Sequence, residues 1–308
     1  MQKLLNNAYI LLIFSTLFWG GNAVAGKYLA GSIPPVTISF IRLAISLFIV
    51  LPFLFPLLKR EAHEARKNVK ILFILSISGV IGYNLFSYWA LNYTTAINGS
   101  LLNSTSPLFI FLFSYFLIGE KISWKYALSI ILSMTGVMIV ITQGSIERLL
   151  SLQFNVGDLI MLLGVMMWAL YSVLVRDASK KMSSLGIFGY SLFIGFMLMI
   201  PASIIELLFF PIEKIEFAEW TALFYLGIFP SVCSFILWNR AVALIGPSRS
   251  SIFMNLTPVF GTLIAFFVIG ERITAPQIVG GVLVFIGVLV SSLKKKEFAP
   301  KNIMVKVR

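Results

Sequence analysis

Residues 107–120 read PLFIFLFSYFLIGE, and residues 258–271 read PVFGTLIAFFVIGE. Both stretches begin with proline, continue as a long uncharged run and end in Ile-Gly-Glu, at a separation of 151 residues. Such a run is typical of a helix in a lipid bilayer, which needs about 20 mostly apolar residues to cross. The recurrence predicts that the chain is built from two related halves.

The register of the repeat extends beyond these two stretches. With a shift of 151 residues, Ala90–Val140 lies over Ala241–Ser291 without a gap. A general likeness of apolar helices does not explain proline, Gly-Glu and a further glycine at matching intervals. We therefore interpret residues 1–142 as a first unit, residues 143–293 as a second unit and residues 294–308 as a basic tail. Identities in the register include Ser100 with Ser251, Pro107 with Pro258, Phe116 with Phe267, Gly136 with Gly287 and Val137 with Val288.

The composition excludes the common soluble classes. Of 308 residues, 59% are hydrophobic and 12% are charged, with a mean hydropathy of +0.96. Soluble chains average roughly 45–50% apolar and about 25% charged residues, so this surface has too little charge for water. The single cysteine, Cys233, excludes an intrachain disulfide framework and a cysteine-based metal cluster. With His63 as the only histidine, we expect no catalytic residue, metal site or cofactor.

The chain divides into long apolar runs joined by short connections, and ten of the runs are long enough to span a bilayer. A backbone inside lipid must satisfy its own hydrogen bonds, and continuous runs do so as helices rather than as alternating barrel strands. We expect the first run to be retained, because it is longer than the apolar core of about 7–15 residues in a signal peptide. The ten runs are Ala8–Ala30, Pro34–Leu58, Val69–Leu91, Thr95–Ile118, Ile122–Thr142, Val156–Val175, Ser183–Leu208, Trp220–Leu244, Pro247–Ile269 and Thr274–Leu293.

The net charge of +12 is explained by where the basic residues lie. With the N-terminus in the cytoplasm, 19 Lys and Arg fall in inside segments and 4 in outside segments, with Arg42 inside a helix. Basic residues concentrate on the cytoplasmic side of membrane proteins, so both termini are predicted to be cytoplasmic. The excess charge therefore indicates membrane topology in a lipid bilayer, and no nucleic-acid partner is expected.

Five helices in each half are an odd number, so the second half is predicted to run upside down relative to the first. We therefore expect an all-α integral membrane protein with ten transmembrane helices in two inverted five-helix repeats. Inverted repeats are the architecture of many secondary transporters, whose substrate site lies near the midplane between the halves. One site then opens alternately to each side of the membrane.

Several motifs resemble the drug/metabolite transporter superfamily, specifically its EamA-type family. The resemblance covers nearly the whole chain and implies a ten-helix inverted-repeat transporter of the bacterial inner membrane. It also implies the export of amino acids or related small metabolites. The motifs are Phe18-Trp19-Gly20-Gly21-Asn22, Ile41-Arg42-Leu43, Trp89-Ala90-Leu91, Ser106-Pro107 and the Gly-Glu pairs at 119–120 and 270–271.

Polar and aromatic residues inside a span usually face the bundle interior or a water-filled cavity, so they are candidates for a substrate path. Two alternatives remain open: Tyr88 and Trp89 also suit an interfacial aromatic belt, and Trp19 also suits packing beside Gly20 and Gly21. The candidates are Trp19, Asn22, Tyr83, Asn84, Ser87, Tyr88, Trp89, Asn103, Trp168, Tyr171, Ser172 and Asn255.

Three further residues inside the spans favour structural roles. Pro107 and Pro258 each free a backbone carbonyl and are expected to kink their helices. Arg42 suits either a structural network or a substrate carboxylate, and its match to the helix-2 arginine of the resembled family favours the first. A single deep cation predicts a neutral or zwitterionic small molecule rather than a phosphorylated one.

The sequence leaves the cargo, the coupling ion and the oligomeric state open. No carboxylate lies in the middle of a span, so no proton carrier is evident. A membrane-embedded enzyme is the main alternative, but no cluster of Asp, Glu or His lies at one face. A channel or a structural subunit is the other alternative.

Overall fold

The computed structural model describes residues 7–29, 31–94, 96–120, 124–151, 155–212, 214–269 and 273–292. The basic tail at 294–308 and the second Gly-Glu pair at 270–271 lie outside these residues. Within the described ranges the secondary structure is entirely helical, without a strand. We group the helical elements into ten long segments, α1 to α10.

Six of the segments are single helices. A five-residue helix, Ile146–Leu150, lies in the connection between α5 and α6. The six are α1, Ala8–Leu29; α2, Pro35–Lys67; α5, Trp124–Thr142; α6, Val156–Ala178; α7, Ser184–Phe209; and α10, Ala275–Ser292.

The other four segments are composite. In α3 and α8 a π-helical stretch interrupts the α-helix. In α4 a turn at 104–105 interrupts the helix shortly before Pro107, and in α9 a 3₁₀ stretch ends shortly before Pro258. Their parts are Val69–Leu75, Ser76–Gly82 and Tyr83–Ala90 in α3; Ala96–Asn103 and Ser106–Ile118 in α4; Phe217–Ile228, Phe229–Cys233 and Ser234–Ile245 in α8; and Pro247–Ser251, Ile252–Asn255 and Leu256–Ile269 in α9.

Eight helices in the described part of the chain are long and apolar enough to cross a membrane, by length and composition. The helix Ala275–Ser291 is also apolar but shorter. A bilayer of ordinary thickness needs about 20 residues of helix, and the eight helices run from 19 to 33 residues. The chain is therefore a multi-pass membrane protein.

The irregular parts of the helices recur in the register of the sequence repeat. A shift of 151 residues carries the π-helical stretch Ser76–Gly82 onto 227–233, which contains the second one at Phe229–Cys233. The turn at 104–105 of α4 likewise falls on 255–256, where the 3₁₀ stretch of α9 ends. Pro107 and Pro258 then lie in the first turn of the helix that follows, where a residue without an N–H is tolerated.

The second helix is longer than its apolar run. It continues past Leu58 to Lys67, through residues that include Glu61, Glu64 and Arg66. Ala, Glu, Lys and Arg are good helix formers, and Lys67 forms an exposed ion pair of 3.1 Å with Glu64 one turn earlier. Helix propensity therefore carries α2 beyond the apolar segment that the sequence defines.

Helices α5 and α10 pack closely through small residues. A Cβ added at Gly136 of α5 would lie 2.6 Å from the carbonyl oxygen of Gly280 of α10. A Cβ added at Gly287 would lie 2.9 Å from the carbonyl oxygen of Ser129. The shift of 151 residues carries Gly136 onto Gly287 and Ser129 onto Gly280, so each contact is the image of the other.

The remaining helix pairs follow the same pattern. The first helix packs against α8 and α9, and α6 packs against α3 and α4. The second helix packs against α7. If α1 to α5 correspond to α6 to α10, the pairs α1–α8 and α1–α9 correspond to α6–α3 and α6–α4.

Candidate functional site

A cavity of about 340 Å³ lies in the middle of the bundle, between helices of both halves of the chain. Eight predicted substrate-path residues line it, together with Arg42 and Pro258. The tertiary structure thus brings candidates from α1, α3, α4 and α6 to one place. The eight are Trp19, Asn22, Tyr83, Asn84, Ser87, Tyr88, Asn103 and Trp168.

The other candidates do not line this cavity. Trp89 is 45% exposed, because it is about a quarter of a helical turn from Tyr88 and faces outward. Tyr171, Ser172 and Asn255 are completely buried and are not part of the cavity lining. Pro107 is also buried outside the wall.

Aromatic rings line the deep end of the cavity. The rings of Trp19 and Trp168 meet edge to face, with centroids 5.1 Å apart, and Tyr83 and Phe235 each lie 5.4 Å from Trp168. Trp19 donates its indole N–H to the Pro230 carbonyl at 3.1 Å, and Trp168 donates its own to a methionine sulfur. The indole N–H groups are thus satisfied by the protein, and half-buried Trp19 leaves apolar ring surface for a ligand.

Hydrogen-bonding groups stand beside these rings. Tyr83 donates its hydroxyl to the amide oxygen of Asn103 at 3.0 Å. Tyr88 donates its hydroxyl to the amide oxygen of Asn22 at 3.3 Å. These pairs connect α3 with α4 and α3 with α1, and they set the direction of the donors and acceptors on the wall.

Arg42 supplies the charge of the site. Its side chain is 2% exposed, and Nε donates to the hydroxyl of Ser231 at 2.7 Å. One terminal amino group, Nη1, donates to Asn84 Oδ1 at 2.7 Å and to the hydroxyl of Tyr88 at 2.8 Å. The same network therefore joins α2, α3 and the π-helical stretch of α8. Among the described residues that line the cavity, Arg42 alone carries a charge.

The cavity extends towards one end of the bundle. Its lining includes Gly26 near the end of α1, Leu91 after α3, Gly99 early in α4 and Gln277 early in α10. At the opposite end, α4 and α9 are joined where Glu120 accepts a hydrogen bond of 2.7 Å from Ser248. The cavity thus extends towards one end of the bundle, and at the other end a hydrogen bond ties α4 to α9.

Sequence reasoning missed several residues of the wall, among them Met254, Thr257 and Phe235. For Met254 and Phe235 the repeat offered a signal that would have found them. The register places Met254 over Asn103, and when it is carried further towards the N-terminus it places Phe235 over Asn84. Ser231 was missed because a serine in an apolar run has no distinguishing pattern.

Known proteins share both the sequence pattern and the fold. The family model of the EamA-like transporter family matches this chain twice, over residues 6–142 and 155–293. The "Uncharacterized transporter YyaM" of Bacillus subtilis (strain 168) is 32% identical, over 93% of each chain. The "Probable terminal-alkyne amino-acid exporter" of Streptantibioticus cattleyicolor is 21% identical, over 72% of this chain and 73% of its own.

The fold has a counterpart among solved crystal structures. One such structure superposes on this chain with a TM-score of 0.72 at 20% sequence identity. The superposition covers 92% of this chain and 96% of the other one. The family match spans most of the sequence, and the chain therefore belongs to the EamA-like transporter family of membrane transporters.

Proposed function

We propose that this protein is a secondary transporter that exports an amino acid or a related small metabolite by alternating access. The observation that carries the proposal is the cavity of about 340 Å³ enclosed by helices of both halves. Ligand sites are typically apolar clefts of about 300–1,000 Å³ with a few placed polar groups, which fits this wall. We further propose ten transmembrane helices in two inverted repeats, in the units 1–142 and 143–293.

A repeated side-chain hydrogen bond supports the architecture of two related halves. Tyr88 of α3 bonds Asn22 of α1, and Tyr171 of α6 bonds Asn239 of α8 at 2.9 Å. The register places Asn239 over Tyr88, and Tyr171 stands in α6 where Asn22 stands in α1, three residues after a tryptophan in each case. The same pair therefore occurs in both halves with the two residue types exchanged.

The different surroundings of these two pairs support alternating access. The Tyr88–Asn22 pair lines the cavity, and both members of the Tyr171–Asn239 pair have no exposed surface. Two structurally related pairs, one at an open space and one packed, are what alternate opening of two halves requires. In the proposed topology the cavity opens to the outside, because the ends of α1 and α3 are predicted to lie there.

The cargo class follows from the wall and from a relative. Aromatic rings provide contact for an apolar side chain, and amides and hydroxyls fix orientation. The relative from Streptantibioticus cattleyicolor is named as an amino-acid exporter. Both observations favour an amino acid or a similar metabolite as the cargo. The proposed location of the transporter is the inner membrane.

Counterflow in proteoliposomes tests the proposal. Vesicles that contain the purified protein are loaded with an unlabelled amino acid, and uptake of the labelled form is followed for each common amino acid in turn. We expect transient accumulation for at least one of them, since a carrier exchanges the two pools. Absence of counterflow across amino acids and small metabolites would contradict the proposed function, and an unsaturable flux would indicate a channel.

Substitutions in the wall test the location of the site. Tyr83→Ala and Asn84→Ala are expected to lower counterflow about tenfold or more, because each removes hydrogen bonds worth about 1 kcal/mol apiece and reshapes the wall. Trp89→Ala is the control, since this side chain is 45% exposed and away from the cavity. Full activity of both wall variants, at equal membrane content, would place the site elsewhere.

A further inference from the structure

The guanidinium of Arg42 is a buried positive charge without a neutralising carboxylate among the described residues. Its hydrogen-bond partners are the side chains of Ser231, Asn84 and Tyr88, all of them neutral. The described ion pairs lie elsewhere, at Glu64–Lys67 and Asp177–Lys180. The bundle therefore keeps a net positive charge on the cavity wall.

Such a charge is costly to maintain. Moving an ion from water into a protein interior costs several kcal/mol, and buried charges are normally paired. Charged residues inside membrane helices accordingly mark functional sites by default. A purely structural tie between α2, α3 and α8 needs hydrogen bonds but not a charge, so the charge itself indicates a ligand of opposite sign.

The geometry of Arg42 is preorganised for such a ligand. Nε and Nη1 are occupied, which fixes the plane of the guanidinium, while Nη2 has no acceptor among the described residues. Arginine presents planar, directed N–H donors that match the two oxygens of a carboxylate, and bonds between ionised groups are about twice as strong as neutral ones. A fixed arginine at a cavity wall also creates a positive potential that attracts anions.

The rest of the cavity wall indicates how many charges a complementary ligand carries. No acidic residue and no second basic residue lies among the described residues that line the cavity. Trp19 and Tyr83, both half-buried, instead offer ring surface, which accommodates an apolar group and attracts an ammonium group through cation–π interaction. One carboxylate beside an apolar body is the chemistry that this arrangement complements.

We propose that Arg42 binds the carboxylate of the cargo and that the cargo is a small organic monocarboxylate with an apolar or aromatic body. α-Amino acids belong to this class, and so do monocarboxylates without an amine. Their amides, esters and decarboxylated amines do not. The inference rests on the proposed transport function and specifies the substrate class of the same cavity.

A matched ligand series in the wild-type protein gives the first test. Phenylalanine, phenylalaninamide, phenethylamine and 3-phenylpropanoate share one aromatic body, and leucine, leucinamide, isoamylamine and 4-methylpentanoate share an aliphatic one. Binding is measured by quenching of intrinsic tryptophan fluorescence, because Trp19 and Trp168 line the cavity, and transport by competition in counterflow. We expect the acids of at least one series to bind at least tenfold more tightly than its amide and its amine.

Comparison of the two acids in each series shows whether the cargo is an amino acid or a monocarboxylate without an amine. Tighter binding of the amino acid than of the amine-free acid identifies amino acids as the cargo, and the reverse identifies simple monocarboxylates. Equal binding of acid and amide would overturn the proposal, while counterflow of either would leave the transporter function standing. No binding of any member would overturn the proposal, and the absence of all counterflow would overturn the proposed function as well.

The variant Arg42→Gln gives the second test, with Arg42→Lys beside it. If Arg42 binds the carboxylate, Arg42→Gln lowers the ratio of acid to amide affinity at least tenfold. Arg42→Lys keeps the positive charge but not the planar, directed N–H donors, and it lowers the ratio less. A purely structural role would weaken all ligands in equal proportion and leave the ratio unchanged, which would contradict the proposal. Arg148→Gln is the control, since Arg148 bonds the exposed Gln143 and does not line the cavity. The wild-type series decides the question even if Arg42→Gln does not fold.

Discussion

At the residue scale, the tyrosine–asparagine pairs Tyr171–Asn239 and Tyr83–Asn103 differ in what surrounds them. The hydroxyl of Tyr171 bonds Asn239 Oδ1 in a fully buried setting, and Asn239 Nδ2 already has no partner. The hydroxyl of Tyr83 bonds Asn103 on the cavity wall, where water can replace it. The free-energy cost of losing a hydroxyl therefore depends on whether the abandoned partner can be hydrated.

The variants Tyr171→Phe and Tyr83→Phe test this difference. Tyr171→Phe leaves a buried amide oxygen unsatisfied and is expected to lower the stability of the protein by about 1–3 kcal/mol. Tyr83→Phe is the matched control and is expected to cost less than about half of that. Thermal unfolding of both variants in detergent measures the difference, and equal losses would show that the Tyr171 side is hydrated.

At the element scale, the shapes of the helices depend on short irregular stretches. A π-helical turn inserts one extra residue, which rotates all later side chains by about 100° around the helix axis. In α3 this stretch ends at Gly82, immediately before Tyr83, Asn84 and Tyr88. The insertion therefore helps decide which side chains of α3 face the cavity and which, like Trp89, face away.

Close packing of α5 against α10 gives a prediction at this scale. In Gly136→Ala the new Cβ would lie 2.6 Å from the Gly280 carbonyl oxygen and 2.8 Å from the Val284 nitrogen. Both are backbone atoms, so the helices must separate, and overpacking of this kind typically costs about 1–3 kcal/mol. We expect a lower midpoint of thermal unfolding in detergent.

The neighbouring Gly281→Ala is the control for this prediction. A Cβ at Gly281 would lie 3.6 Å from Val259 Cγ1, an ordinary contact, and alanine favours a helix over glycine by about 1 kcal/mol. Its midpoint is expected to stay unchanged or to rise. A loss in Gly281→Ala as large as that in Gly136→Ala would show that the loss does not come from the backbone contact at Gly136.

At the scale of the whole molecule, the two ends of the bundle are distinguished by contacts between distant segments. Near the start of α2, Glu206 accepts hydrogen bonds from the backbone N–H groups of Val36 and Thr37. Beyond the end of the same helix, Lys181 donates to Asn68. Ser32 and Lys180, next to these two places, are both exposed and therefore report on opposite ends of α2.

Cysteine labelling tests the predicted topology. In a Cys233→Ser background, a membrane-impermeant maleimide is expected to label Ser32→Cys in intact cells and Lys180→Cys only after the cells are permeabilised. The expectation follows from the concentration of Lys and Arg in the segments assigned to the cytoplasm. The reverse labelling would invert the orientation, and labelling of both in intact cells would contradict a single topology.

The sequence by itself determined what depends on composition along the chain. Low charge and long apolar runs specify membrane helices, and the recurrence of PLFIFLFSYFLIGE as PVFGTLIAFFVIGE indicates a duplication. The relevant physics is local, because transfer of a segment into lipid depends on its own residues. The order of helices and the close contact of Gly136 with α10 agree with the register read from the sequence.

Only the tertiary structure decided which polar residues share a site. Arg42 meets Asn84 at a separation of 42 residues and Ser231 at a separation of 189, and spacing along one helix carries no information about such contacts. A period of 3.6 residues defines a face, but packing and the π-helical insertions decide what that face meets. For this reason Tyr83 and Trp168 meet on one wall, while Trp89 faces outward and Tyr171 is fully buried outside the cavity lining.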